Sequence, residues 1–453
     1  TKAGPGTLSL AGANNYAGGT LVNQGALRLN ASGVAGTGTI TNVNSTLLVA
    51  SAISFGNPLH FTGTCTVDLN NAGGNTALNG AWSGDATVNI INQQNSTRTF
   101  TVGGNGTGGY MWDFSGILNM GTNDGTLRFN DGGGSFNLGS SNATFNLGSG
   151  SAILRGRNGG VTVHLGALLG GPGTRLLGRS SDGGDITYSV GGKNTDFTFE
   201  GAIEDTSATV RTAIIKTGAG KWTLTGASSY TGSTTIREGV LQVDGALGNT
   251  SVSVAGGTLA GSGAIAGAVE VQYGSTLAPG ASVGQLTINN WLILQSGSTT
   301  VMELDKALGR NDSVAGLAAV SYGGKLVVTN LSGTLQAGDI FYLFPAAALY
   351  AGAVFEEVSL PELAPGLEWD LSQLNVDGSI RVSAGATLNY ARVGNNLELS
   401  WTGLFKLQAQ TNSLGTGLSN NWYDYPDGAM PPVIVPIDPA SPAVFFRLEQ
   451  LPQ

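Results

Sequence analysis

Apolar and polar residues alternate along most of this chain, in runs too short to make a helix face. Gly-Thr-Leu-Arg-Phe-Asn at 125–130, Ala-Thr-Phe-Asn-Leu at 143–147 and Gly-Val-Thr-Val-His-Leu at 160–165 follow this pattern. Each places its apolar side chains on one side of an extended segment and its polar ones on the other. Gly, Asn and Asp close the runs at intervals of about 8–12 residues, which predicts many short strands. Helical periodicity is almost absent.

Two arrangements accommodate such strands: hairpins packed into sandwiches, or coils stacked as a solenoid. Hairpins need Asn-Gly or Asp-Gly turns between complementary partners. Here the segments resemble one another more than they complement one another, which favours stacked coils over residues 1–300. The clearest case is a 28-residue block that occurs twice, from Lys2 and from Lys216, with 11 identities and no gap. The shared positions are Lys2/Lys216, Gly4/Gly218, Gly6/Gly220, Leu10/Leu224, Gly12/Gly226, Ala13/Ala227, Tyr16/Tyr230, Gly18/Gly232, Thr20/Thr234, Gly25/Gly239 and Leu27/Leu241. One such coil cannot bury its inward Leu, Val and Ile side chains alone. Stacking at about 4.8 Å per coil pairs its backbone with the coils above and below. Glycine then serves corners where φ is positive or two backbones approach closely.

The pattern shifts near residue 300. Glycine thins, and 323–346 reads as longer, more apolar strands, followed by acidic residues and prolines at 355–382. Residues 301–383 are read as a terminal, capping β region of the solenoid. Residues 384–453 are read as a small separate β-sandwich. There Trp401, Trp422, Tyr423 and Tyr425 accompany ordinary alternation, and the proline-rich stretch from Pro431 to Pro442 suits edge strands and turns.

Composition narrows the function. The chain has 73 glycines in 453 residues without a strict three-residue period, so it is not collagen-like. Charged residues make up only 11%, against about 25% in ordinary globular proteins. Lys and Arg number 20 without a basic run, and the formal net charge is −9, which argues against nucleic acid as a partner. Cys65 is the one cysteine, so neither a disulfide framework nor a cysteine zinc site is expected. The longest apolar stretch, 340–355, is broken by Pro345 and too short to span a bilayer. The start at Thr1-Lys2 reads as a terminus left by removal of a signal peptide or by other processing.

The residues GAGKWTLTGASSYTGSTTIREGVLQV at 218–243 resemble the autotransporter-associated β-strand repeat, also called the passenger-associated transport repeat. The segments at 259–288 and 319–344 are similar to its usual continuation. The C-terminal LELSW, LQAQTNSL, NNWYDYP and VFFRL pattern is similar to tails on repeat proteins of Verrucomicrobia-like bacteria. Residues 31–200 match only loosely. The resemblance implies a right-handed parallel β-helix, secretion, and a role at or beyond the cell surface. The amphipathic ten-residue strands and aromatic girdles of a membrane β-barrel do not occur in this sequence.

Candidate chemistry is sparse. Gly280-Ala281-Ser282-Val283-Gly284 fits the nucleophile-elbow letters, but that elbow needs a following helix and a later His. Both histidines, His60 and His164, precede Ser282. Gly104, Gly106 and Gly109 fit a dinucleotide fingerprint by letters only, without a βαβ unit. Asp182 and Asp185, near Arg175, Arg179 and Lys193, are read as turn formers, with calcium or carboxylate catalysis as rival readings. Glu356, Glu357 and Glu362 read as a solvated face, His60 and His164 as structural, and Cys65 as a small core residue. Trp82, Tyr110, Trp112 and Phe114 are read as core or edge cover, with a carbohydrate platform as the alternative. No catalytic residue, cofactor or metal is assigned.

The leading expectation is therefore a non-enzymatic extracellular structural protein. Its first coil, Thr7, Leu8, Ser9 and Leu10, is read as a bare edge that a second copy covers head to tail. The covering strand would come from Pro432–Ile437 or Ala443–Leu448, through Val433, Val435, Phe445 and Phe446. Alternatives are an adhesin that binds a surface polysaccharide, with Trp401 and Trp422 as its test residues, and a polysaccharide-active enzyme.

Overall fold

A computed structural model describes the chain except residues 50–51, 70–74, 93–97, 103–110, 130–137, 159, 181–183, 346–352, 403–404, 414, 416, 439–442 and 451–453. Among the described residues every regular element is a strand. Burial follows the sequence alternation: it reverses at each residue along Ile40–Val43, Thr46–Val49 and Thr299–Asp305. Inward side chains then stack in columns. Cys65, Val88, Leu118, Phe145 and Leu168 occupy matched positions on five successive strands and are all fully buried. Burying an apolar side chain of this kind is worth roughly 1.5–3 kcal/mol, so each column ties several coils together.

The longest sheet has 15 strands, from Thr7–Leu10 at one edge to Ala319–Ser321 at the other. Its ladders are parallel, as are those joining the strands of the five-, seven- and four-stranded sheets. A nine-stranded sheet is also parallel along its main path. This is the parallel β-solenoid that the repeated blocks predict. The chain divides into two compact units, the first comprising Thr1–Ser332 with Leu343–Leu360. Stacking in that unit continues beyond residue 300: Lys325–Ser332 and Glu357–Ser359 extend the nine-stranded sheet.

The second unit comprises Gly333–Tyr342 with Pro361–Gln453. Its strands form three antiparallel sheets of three strands each. Two of these sheets share one core of Leu399, Trp401, Phe405, Leu407 and Val433, with Phe446 and Leu448 packed against it. Side chains from both sheets meet there, the arrangement of a small β-sandwich.

Candidate functional site

The two sequence blocks build one local site twice. Lys2 and Lys216 are both buried, and each turns its ammonium group into a coil corner. Lys2 Nζ donates to the carbonyls of Ala3 (3.3 Å), Gly4 (2.6 Å) and Gln24 (2.9 Å). Lys216 Nζ donates to those of Thr217 (2.9 Å), Gly218 (2.7 Å) and Glu238 (3.1 Å). Two acceptors lie in the lysine's own corner and the third comes from the following coil. Burial pushes the Lys216 ammonium down to about 8, against the pull of Glu238 and Asp196.

Glycine makes these corners close enough for one lysine to reach both coils. A Cβ on Gly25 would lie 2.4 Å from Gly6 O, and one on Gly239 would lie 2.4 Å from Gly218 O. Both residues have positive φ, 76° and 63°. The identity of glycine here follows from close approach and left-handed backbone together. Further along, Tyr16 Oη contacts Thr20 Oγ1 at 2.9 Å, and Tyr230 Oη contacts Thr234 Oγ1 at 2.7 Å. The recurring lysines and glycines thus fasten each coil to the next, while the tyrosine–threonine contact is local. Their identity between the two blocks was the sequence signal for this role, but nothing local announced that a lysine would point inward.

The predicted assembly residues occupy sheet edges. The Thr7–Leu10 strand pairs with Ala26–Leu29 on one side, and among the described residues no strand pairs with it on the other. Leu8 there is 41% exposed. In the second unit Val433–Pro436 and Ala443–Gln450 are edge strands of their sheets. Val433 and Val435 nevertheless turn toward that unit's own core, as does Phe446, whose ring lies 6.0 Å from that of Tyr425; Phe445 is half-buried. Val435 and Phe446 also line a cleft of about 250 Å³ with Leu397, Ile437 and Val444.

Most other candidates have structural surroundings. Trp401 is buried, and its Nε1 donates to Phe405 O at 2.9 Å, which leaves it unable to offer a glycan platform. Trp422 is half-buried beneath the Arg447 guanidinium, 4.6 Å from the ring centre. Trp82 and Phe114 are core residues in edge contact, whereas Trp112 is exposed and lies 5.3 Å from the His164 ring. Burial holds the His164 imidazole below its usual range. His60 Nδ1 is 2.9 Å from Ser83 Oγ. Asp185 pairs with Arg211 at 2.8 Å, Arg175 with Glu204, and Glu357 with Lys325 at 2.6 Å. Lys193 Nζ donates to Ser115 O. Glu356 accepts the Gly297 N–H. Asp182, Tyr110 and the Gly104–Gly109 motif lie outside the described residues.

Ser282 lies in a turn between the strands Thr276–Pro279 and Gln285–Ile288, so its Gly-x-Ser-x-Gly letters have no helix after them. It helps line a cleft of about 210 Å³ with Gln242, Glu303 and Asp312. Burial pushes the Asp312 carboxyl up to about 7. Two backbone donors oppose that shift: Gly284 N–H reaches Oδ1 and Glu303 N–H reaches Oδ2, both at 2.7 Å. Asp312 therefore clamps the Ser282 turn to the neighbouring strand with both oxygens.

A second grouping escaped the sequence reading. Three consecutive strands of the seven-stranded sheet, Thr126–Phe129, Ile153–Gly156 and Arg175–Leu177, carry Arg128, Arg155 and Arg175 on the outside. Arg128 and Arg155 stand directly opposite each other. They are 27 residues apart in sequence, so no basic run marks them. Only the coil length, read as a period, could have brought them together.

A family model described as the passenger-associated-transport-repeat matches residues 1–29 and 214–243, the two blocks whose corners Lys2 and Lys216 occupy. Over 105 residues the chain is 40% identical to the Adhesin BmaC autotransporter of Brucella suis biovar 1 (strain 1330), a match covering 22% of this chain and 3% of that protein. Over 116 residues it is 34% identical to an Extracellular serine protease of Serratia marcescens, covering 26% of this chain and 11% of that protein. The chain thus matches only a small part of the length of either relative.

Proposed function

We infer that this chain, built with passenger-associated transport repeats, works outside the cell or at its surface as a non-enzymatic β-solenoid scaffold. The observation that carries the reading is the duplicated corner. The most strongly recurring residues, Lys2/Lys216 and Gly25/Gly239, spend their side chains or their lack of one on joining coil to coil. A repeat shaped by that demand serves extension and rigidity. The candidate chemical groups support the same reading, since Asp312 is held by backbone donors and Ser282 lies between two strands.

The scaffold reading extends to assembly. In it, the outer edge of Thr7–Leu10 accepts a strand from another copy, through the free edge of Val433–Pro436 or Ala443–Gln450. A repeat preceding Thr1 in the same polypeptide would cover that edge equally well and remove the need for a partner. Sedimentation of the purified chain separates the two arrangements. Concentration-dependent polymers that Leu8→Lys abolishes, at unchanged melting temperature, support head-to-tail assembly; a monomer at high concentration overturns it. Surface labelling and fractionation of producing cells test the location, and protein confined to the cytosol overturns the reading as a whole.

The adhesin relative supports a second, compatible reading, in which the outward coil faces bind a surface polysaccharide. Binding of glycans to the full chain, lost when outward-facing side chains are replaced, supports it.

A further inference from the structure

Two strands of the second unit lie at free sheet edges, and the edges offer different things. Antiparallel ladders turn the N–H and C=O of alternate residues toward each neighbour. Ile437 N–H donates to Asn395 O, so the backbone groups of Val433 and Val435 face Asn396–Trp401 while those of Ile434 and Pro436 point outward. Proline has no N–H, which leaves Ile434 as the donor of that outward pair. The other edge is not blunted in this way. On Phe405–Asn412, Leu407 N–H donates to Gly428 O and its carbonyl accepts Tyr425 N–H, so the groups of Gln408 and Gln410 face Ala443–Gln450. The register Gln408↔Arg447 then turns the groups of Phe445 and Arg447 inward and leaves those of Val444, Phe446 and Leu448 on the outer edge. No proline interrupts this strand, and among the described residues none pairs with its outer side.

Exposed edges are ordinarily guarded by proline, a bulge or free charged side chains. Arg447 and Glu449 are the charges on Ala443–Gln450, and both are engaged within their own sheet. Arg447 donates to Gln408 Oε1 from Nε at 2.8 Å and from Nη2 at 2.6 Å, and Glu449 accepts Lys406 Nζ at 2.8 Å. The inward side chains of the strand are apolar. Phe446 and Leu448 pack on the core, while Val444 is 39% exposed and lines the cleft of about 250 Å³. Unmade backbone bonds beside an incompletely covered apolar face suit the addition of one more strand.

The strand is complementary to itself. Placed antiparallel about Phe446, two copies set Phe446 against Phe446 and Val444 against Leu448 on the inward face. On the opposite face Phe445 meets Arg447 and Ala443 meets Glu449. The outward backbone groups coincide at Val444, Phe446 and Leu448, so each of these positions exchanges both of its bonds across the axis. No like charges meet in this register, whereas one centred on Arg447 would oppose two guanidinium groups. We propose that the second unit forms a two-fold dimer with a second copy of this chain, in which the Ala443–Gln450 strands pair antiparallel about Phe446 and join their sheets into one. Leu448 of the second copy then covers Val444. A two-fold contact uses the same patch on both copies and closes at two, unlike a head-to-tail contact at Thr7–Leu10, and it does not depend on that contact. One strand pair buries less than a standard interface, so the dimer is reversible.

Sedimentation of the full chain over a range of concentrations tests the dimer. Wild type should pass reversibly from monomer to dimer. Val444→Pro deletes an outward donor and keeps the inner ladder, so it should weaken dimerisation at least tenfold at unchanged melting temperature. Val444→Lys, which sets a charge against Leu448 of the second copy, should weaken it as much. Ile434→Pro removes the outward donor of the other edge and Leu8→Lys alters the first coil; both should leave the dimer intact. Oxidative cross-linking reads the register, since residues directly opposite in a non-hydrogen-bonded pair lie within reach of a disulfide. A mixture of Phe445→Cys and Arg447→Cys chains should give a linked pair that neither chain gives alone. A monomer at every concentration, association that Ile434→Pro or Leu8→Lys abolishes, a dimer that survives both Val444 variants, or linkage by one cysteine chain alone would overturn the proposal.

Discussion

The block from Lys2 and the block from Lys216 make the same corner in different surroundings. Each lysine finds two carbonyls in its own corner and one in the following coil, so the corner needs only what comes after it. The inward face depends on the coil before as well. Lys221–Leu224 lies between Phe197–Phe199 and Val240–Val243, and its Trp222 is completely buried. Leu8 takes the same place in the first block, on a strand paired along one edge, and is 41% exposed. Tyr230 N–H reaches back to Ile203 O, and the ring is fully buried; Tyr16 is 37% exposed. Polar corners in this repeat are therefore a property of consecutive coils, while core burial is shared with the coil on the other side.

Truncating the inward residue should separate the copies most widely. Trp222→Ala removes a ring enclosed by two neighbouring coils and should cost about 3–5 kcal/mol in urea unfolding. Leu8→Ala should change stability by less than about 0.5 kcal/mol, the range of exposed substitutions. Equal losses at the two positions would show that the first coil is covered as fully as the second, by a partner or a preceding repeat.

The lysine pair comes next. Lys216→Met leaves the carbonyls of Thr217, Gly218 and Glu238 without their donor and should lower stability by roughly 2 kcal/mol at pH 7. Its pH dependence has a definite sign. The folded state holds the Lys216 proton less tightly than the unfolded chain does, with its titration at about 8 against the ordinary 10.5. Below pH 8 both states are charged; between 8 and 10.5 the unfolded chain binds more protons, so wild-type stability rises with pH. The methionine variant should lack that rise, and the deficit should widen across the window. A parallel pH curve for variant and wild type would remove Lys216 as its source.

Much of the fold was legible because strand alternation and glycine corners are local. Apolar residues at every second position announce a strand, and Gly25 and Gly239 occupy positions where positive φ and close backbone approach allow little else. The candidate sites were less legible because their partners are one coil away. Lys216 meets Glu238 O 22 residues on, and Arg128 faces Arg155 27 residues on, separations at which no short motif operates. Trp401 shows the converse difficulty. It was a test residue for the adhesin alternative, yet two sheets enclose it and Phe405 O accepts its indole N–H.

The smallest contrast is the tyrosine hydroxyl, and it discriminates the most finely. Tyr230 Oη joins Thr234 Oγ1, which in turn meets Thr250 Oγ1 at 2.9 Å, and Thr250 donates to Gly232 O at 2.6 Å. The register Thr20↔Ile40 and Thr234↔Val252 puts Gly38 where the second block has Thr250. The first copy therefore has a tyrosine–threonine pair, and the second a buried chain of three hydroxyls. Tyr230→Phe should cost about 1 kcal/mol, the net value of a buried hydrogen bond, and Tyr16→Phe close to nothing. Removing the third hydroxyl tests the cause: if the chain of hydroxyls gives Tyr230 its value, Thr250→Ala should bring the effect of Tyr230→Phe down toward that of Tyr16→Phe. Additive losses in the double variant would place the value in the burial of the tyrosine alone.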